Sequence, residues 1–146
     1  MDFFTSMNLS SSALRAQRER MNVISSNLAN VNTTRTEEGG PYRKKSVVFK
    51  AVDVNDKFNT ILKSNLDKNI NSVKVDGVVE DKGPGRLVFE PNHPDANKDG
   101  YVEYPNISLV SEMVDMLNTT RAYEANVTVM ATSKTMANKA LQLLGQ

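Results

Sequence analysis

Residues 95–106, Asp-Ala-Asn-Lys-Asp-Gly-Tyr-Val-Glu-Tyr-Pro-Asn, open like a calcium-binding EF-hand loop. Asp95, Asn97 and Asp99 fall at loop positions 1, 3 and 5, and Gly100 at position 6. Such a loop also needs a bidentate Glu at position 12 and a helix in front of it. Here Asn106 stands at position 12 and Pro105 at position 11, and Pro91-Asn-His-Pro94 precedes the loop. The stretch therefore reads as an Asx-rich turn with Gly100 in a left-handed conformation, a weak calcium site being the lesser alternative.

The remaining reactive side chains do not assemble into a site by spacing. His93 is the single histidine, set in a proline-flanked loop with no second His or Cys to work with. There are no cysteines, which excludes disulfide frameworks, zinc-thiolate sites and cysteine nucleophiles. No nucleophile-elbow motif accompanies the histidine. Glu37 and Glu38 sit in an apparent loop and read as solvated. Arg43-Lys44-Lys45 is a short basic run that could meet an acidic surface, with a solvated strand start as the default. No catalytic, cofactor or metal residues are assigned, and the reading is non-enzymatic.

The elements around these residues follow from the breakers. The chain has 146 residues, with 18 basic and 17 acidic side chains and a net charge of +1, so no long-range field points to nucleic acid or an anionic membrane. All 5 prolines and all but one of the 7 glycines lie between Gly39 and Pro105, Gly145 being the exception. Two breaker-free segments flank a turn-rich middle. The N-terminal sequence has no basic start and no long apolar run, so no cleaved secretory signal is expected. No stretch approaches the roughly 20 apolar residues of a membrane span.

The first helical segment is expected from about Phe3 to Val31. Met7, Leu14, Met21 and Leu28 recur at heptad spacing, and Ile24 and Val31 widen the stripe. Ser11, Arg18 and Ser25 occupy the positions that would complete a seam. A stripe this thin does not hold a free helix of about 43 Å in water, so it needs a partner. The second segment carries a fuller seam in steps of four and three: Leu109, Met113, Met116, Thr120, Tyr123, Val127, Met130, Lys134, Ala137, Leu141 and Leu144. Asn106 is the expected N-cap and Gly145 the C-terminal stop. The methionines on these seams are adaptable packing groups. Between the helices, residues 46–54 read as a strand, and Val78–Glu80 with Arg86–Phe89 read as a hairpin about Asp81-Lys-Gly-Pro-Gly85. Residues 55–71 read as a solvated excursion with room for one short helix.

Ser25 to Thr36 is rich in Asn and Thr, mediocre helix formers. It reads either as a helix end fraying into an Asx-rich loop or as a polar contact surface in which Asn27 and Asn30 select partner and register. Within it, Asn27-Leu28-Ala29-Asn30 followed by Thr33 resembles the N-terminal signature of the bacterial flagellar rod and hook axial protein family. Thr34-Arg35-Thr36, Gly39 to Arg43, Val47-Val48-Phe49, the Pro91 to Asp95 turn, Gly100 to Asn106, Glu112 to Met116 and Arg121 to Asn126 extend the similarity toward its proximal-rod members. The match covers both ends and most of the middle, and is thinnest from about Val52 to Asp76.

The resemblance implies an α+β fold. Long N- and C-terminal helices, residues 1–36 and 106–146, would pack as a coiled-coil-like axial core around a small β-containing middle, residues 37–105, with a flexible excursion at about 55–71. It implies a structural subunit of the proximal rod that transmits torque and needs no cofactor. It also implies export through the flagellar type III apparatus without a cleaved signal, to the rod in the periplasmic space. The implied partners are copies of the same chain, the rod proteins FlgB, FlgF and FlgG, and MS-ring or export-gate components at the rod base. The expected assembly residues are the apolar seam positions above together with Asn27 and Asn30. A soluble coiled-coil adaptor is the alternative that the heptads alone leave open.

Overall fold

A computed structural model describes residues 3–53 and 71–144. The fold is α+β: a long helix, four strands in two antiparallel pairs, and a second, longer helix. The 55–71 excursion lies outside the described residues except for Asn71, which opens a strand.

Helix α1 spans Phe3–Ala29. Its end is set by the Asn and Thr side chains that follow. Asn30 Nδ2 donates to the Ser26 carbonyl at 2.9 Å, and Thr33 Oγ1 donates to Asn30 Oδ1 at 3.1 Å. Asn30 Nδ2 thus shares the Ser26 carbonyl with Asn30 N–H, the kind of local side-chain bonding by which Asx and Thr residues favour helix ends over interiors. The chain then turns through Gly39 and Gly40, at φ of 87° and 77°, a region that side chains bearing a Cβ rarely adopt.

Strand β1, Lys45–Asp53, pairs antiparallel with β2, Asn71–Glu80. Val48 faces Gly77 and Phe49 faces Val75, leaving Asp76 as the extra residue of a bulge. The expected hairpin between Val78–Glu80 and Arg86–Phe89 does not form. β2 is taken up by β1, and the ladder continues past its end through Asp81 N–H to the Lys44 carbonyl. Strand β3, Arg86–Phe89, pairs instead with β4, Tyr101–Tyr104. The Asp81–Gly85 segment is a link between the two pairs, with Gly83 N–H bonded to Asp81 Oδ1 in an Asx turn. Gly85 allows a close approach: a Cβ there would lie 2.5 Å from the Tyr104 carbonyl oxygen.

Helix α2 spans Leu109–Leu144. Ser108, not Asn106, caps it: its hydroxyl accepts from Ser111 N–H at 3.5 Å, and its carbonyl accepts from Glu112 N–H at 3.0 Å. Pro105 and Asn106 lead into the cap rather than form it. Inside the helix the hydroxyls of Thr119, Thr120, Thr128 and Thr135 donate to the carbonyls four residues back. Such bonds leave these four hydroxyls satisfied within the helix, at a slight cost to its stability.

The two helices run antiparallel. Asn27 meets Glu112 and Met21 meets Thr120, so rising numbers on α2 meet falling numbers on α1. At 1.5 Å per residue, α2 is about 54 Å long and α1 about 40 Å, so one helix outruns the other. The β1–β2 pair packs along α1. Among the described residues the buried apolar side chains are few: Ala16, Ile24, Pro41, Tyr42, Val102 and Pro105. That is a thin core for a chain of this length, and most of the large apolar side chains of α2 lie outside it.

Candidate assembly surface and the junction behind it

Where α1 ends, β1 begins and α2 starts, a polar junction ties the three together. Asn27, 1% exposed, is its centre. Its side-chain amide pairs with the Lys45 backbone in both directions: Nδ2 donates to the Lys45 carbonyl and Oδ1 accepts from Lys45 N–H, each at 2.9 Å. The arrangement copies what a neighbouring β-strand offers a peptide unit. The same Nδ2 donates to Glu112 Oε2 at 3.1 Å, and the Tyr42 hydroxyl lies 3.2 Å from Asn27 Oδ1 and 3.0 Å from the Ser26 hydroxyl.

Glu112, also 1% exposed, takes the Lys44 ammonium at 2.7 Å on its other carboxylate oxygen. A buried carboxylate needs such a partner, since removing it from water unpaired costs far more than a neutral group. Within the basic run Lys44 alone turns to a buried partner, while Arg43 and Lys45 make half-exposed pairs at the strand start. Arg43 reaches Glu103 at 3.5 Å, Lys44 reaches Glu112, and Lys45 reaches Glu80 at 3.3 Å.

The loop that resembled a calcium site is occupied with local bonds. Asn97 Oδ1 accepts from Asp99 N–H and Tyr101 N–H, each at 2.9 Å. Asp95 accepts from the Thr34 hydroxyl at 2.8 Å and lies 3.7 Å from Arg35, which ties the turn back to the exit of α1. Gly100 holds φ at 80°. His93 Nδ1 accepts from Asp95 N–H at 3.1 Å. Among the described residues no group of three or more His, Asp or Glu converges on a common point. Tyr104 donates to Glu90 Oε2 at 3.1 Å; partial burial, and then this carboxylate, push its phenol above the usual 10.0.

The expected assembly residues separate into two populations. On α1, Ile24 and Asn27 are buried, while Met7, Leu14, Met21, Leu28, and past the helix Asn30 and Val31, are half-buried. On α2, Met116, Tyr123, Met130 and Ala137 are half-buried, whereas Leu109, Met113, Val127 and Leu141 are exposed. The Leu144 side chain lies outside the described residues.

The strip that completes the α2 face turned inward is Glu112, Thr119, Asn126 and Ser133, all buried or half-buried. It lies one position before the strip Met113, Thr120, Val127, Lys134 and Leu141, which is exposed except at Thr120, half-buried against Met21. Sequence reasoning missed it because it sought apolar residues. The signal present was a second seven-residue repeat, of small and polar side chains. The outward apolar surface is also broader than the seam, taking in Val110, Val114, Leu117, Val129, Met136 and Leu143. No described helix is long and apolar enough to cross a membrane.

Comparison with known proteins gives these surfaces a context. Residues 7–35 match the family model described as flagella basal body rod protein, and residues 98–143 match that of the flagellar basal body rod FlgEFG protein C-terminal region. The chain is 46% identical over 151 residues to the flagellar basal-body rod protein FlgC of Borreliella burgdorferi, covering 99% of both chains. It is 46% identical over 150 residues to FlgC of Bacillus subtilis, covering 98% of this chain and 99% of that one. With FlgC of Salmonella typhimurium it shares 40% identity over 136 residues, 93% of each.

Proposed function

The chain belongs to the FlgC family of flagellar basal-body rod proteins and is a structural subunit of the rod, and we propose that the outward apolar strip of α2 is where it packs against its neighbours in the rod wall. The observation that carries this reading is the exposure of Leu109, Met113, Val127 and Leu141 on a helix whose inward face takes polar residues beside Met116, Tyr123, Met130 and Ala137. Apolar surface of this extent on one helix face marks an interaction site. Coiled-coil spacing along it fits another helix better than a flat partner.

In this reading residues 1–36 and 106–146 form the axial part of the subunit, and residues 37–105 the outer part. The site is the proximal rod, where load passes through packed helices as torque. The chain acts without catalysis. Its neighbours are further copies of itself and the rod proteins FlgB, FlgF and FlgG, with MS-ring or export-gate components at the base. It reaches them through the flagellar type III apparatus. Its thin core suits that route, because a subunit that completes its core on assembly threads as a loosely held chain.

Leu141→Asp tests the proposal. Leu141 is 66% exposed, so the single chain loses nothing by the change, while a carboxylate inside a helix interface is strongly unfavourable. Cells carrying it should export the protein normally yet fail to build rods or swim. Leu28→Asp should also abolish motility, but Leu28 is half-buried, so part of its effect is on the fold. Normal swimming with Leu141→Asp would remove this surface from the assembly.

A further inference from the structure

Helix α2 could face α1 in two ways. The inward face found here combines Glu112, Thr119, Asn126 and Ser133 with Met116, Tyr123, Met130 and Ala137. The alternative keeps the second set and replaces the first with Leu109, Met113, Val127 and Leu141. Turning α2 about its own axis by about 50°, half the 100° between successive residues, exchanges them. Apolar burial alone favours the alternative, because Met113 and Val127 would then cover surface now met by Thr119 and Ser133. The helix nevertheless rests with its polar strip inward.

We propose that the Asn27–Lys44–Glu112 junction is a rotational lock on α2. Glu112 is the one residue of the inward strip whose partners cannot follow a rotation. Its carboxylate is held between the Lys44 ammonium at 2.7 Å and the Asn27 amide at 3.1 Å. Asn27 is itself fixed on the Lys45 peptide through both of its amide atoms. A turn of about 50° moves the Glu112 Cα by about 2 Å on a helix of 2.3 Å radius, and the carboxylate farther. Both contacts would break: the buried Asn27 amide would lose its bond to the carboxylate and Lys44 its ion pair. Thr119 and Ser133 impose no such demand. The Thr119 hydroxyl is satisfied within its own helix, by the Asp115 carbonyl at 2.7 Å. The Arg20–Asp115 pair, at 3.9 Å and about two-fifths exposed on each side, is too solvated to hold the helix. The lock thus keeps the apolar strip outward. It is a property of the single chain and stands whether or not that strip meets a neighbour.

The cysteine-free chain makes the test direct, since a single introduced thiol reports one position. Thr119→Cys and Ser133→Cys probe the inward strip, 2% and 7% exposed; Met113→Cys and Val127→Cys probe the outward one, 52% and 43% exposed. In the full-length native background the first two should alkylate at least about tenfold more slowly than the last two. In Lys44→Met/Glu112→Met, which removes both charges and keeps bulk, the order should invert. If that double variant loses its helical circular dichroism, Glu112→Gln takes its place and should narrow the ratio severalfold. An unchanged order in a helical variant would overturn the lock, as would rapid alkylation at Thr119→Cys and Ser133→Cys in the native background. Unfolding of both variants would overturn it too, by showing a stability element with no control over rotation.

Discussion

Asn27→Ala removes the centre of the junction, and its cost follows from the bonds it breaks. Four contacts go: two to the Lys45 backbone at 2.9 Å, one to Glu112 at 3.1 Å and one to Tyr42 at 3.2 Å. They are not equivalent. Glu112 keeps Lys44, and the Tyr42 hydroxyl keeps the Ser26 hydroxyl. The Lys45 N–H and carbonyl lose a partner at a site where the Asn27 side chain excluded water. An orphaned buried polar group costs about 1–3 kcal/mol, and a satisfied hydrogen bond contributes about 1. Two partly orphaned backbone groups and two weakened side-chain bonds give about 3 kcal/mol. In a urea titration of the full-length chain followed by circular dichroism, a slope near 2 kcal/mol per molar would lower the midpoint by about 1.5 M. Asn30→Ala is the control. Its bonds to Ser26 and Thr33 are at the half-buried helix end, where water replaces them, and the expected loss is at most about 1 kcal/mol. Asn27→Asp should lose at least as much as Asn27→Ala, because it removes both donated bonds and sets a second carboxylate against Glu112. A loss below about 1 kcal/mol for Asn27→Ala, or one no larger than that of Asn30→Ala, would refute the junction as the tie between helices and strands.

Gly100→Ala should destabilise the β3–β4 pair by about 1–2 kcal/mol, because φ is 80° and a Cβ would lie 2.9 Å from the Phe89 ring. Gly77→Ala, with nothing within 4 Å and no left-handed φ, should be neutral in the same unfolding assay. The raised Tyr104 pKa gives a pH prediction: the fold favours the neutral phenol, so this contribution is complete below pH 10.0 and is lost as pH rises through the raised value. Glu90→Gln should bring the phenol back toward its ordinary range in an ultraviolet titration read against Tyr104→Phe, and an unshifted curve would remove Glu90 as a cause.

What the sequence disclosed and what it hid divide along a physical line. Helices and turns were legible because breakers and left-handed positions act locally: the lack of Gly and Pro marked α1 and α2, and Asp99-Gly100 marked the turn before β4. Strand pairing was not, because Asp81–Gly85 has good turn chemistry whether it joins paired strands or links two separate pairs. The N-cap was misplaced by two residues for a similar reason, since Asn106 and Ser108 are both competent and only the bonds to Ser111 and Glu112 choose between them. The inward face of α2 was hidden more deeply. Periodicity identifies a seven-residue repeat, but α2 carries two side by side, and the rule that apolar residues go inward holds for Met116, Tyr123, Met130 and Ala137 but fails for Leu109, Met113, Val127 and Leu141.

That failure explains how the subunit is arranged. A helix pair closed by Met113, Val127 and Leu141 would hide the groups that can bind a neighbour, and each would have to be exposed again on assembly. A pair closed by Thr119, Asn126 and Ser133 beside Met116, Tyr123 and Met130 gains less from burial and leaves the apolar strip free. On the proposed packing, the stability lost inside the chain reappears between chains. Helix orientation must come from something other than hydrophobicity, and a buried ion pair suits that task, since it discriminates sharply between geometries while adding little net stability. Asn27 and Glu112 lie in two stretches shared with the flagellar rod family, one at each end of the chain. Their contact is one that neither helix makes alone, and it places the terminal helices against each other before any neighbour is present.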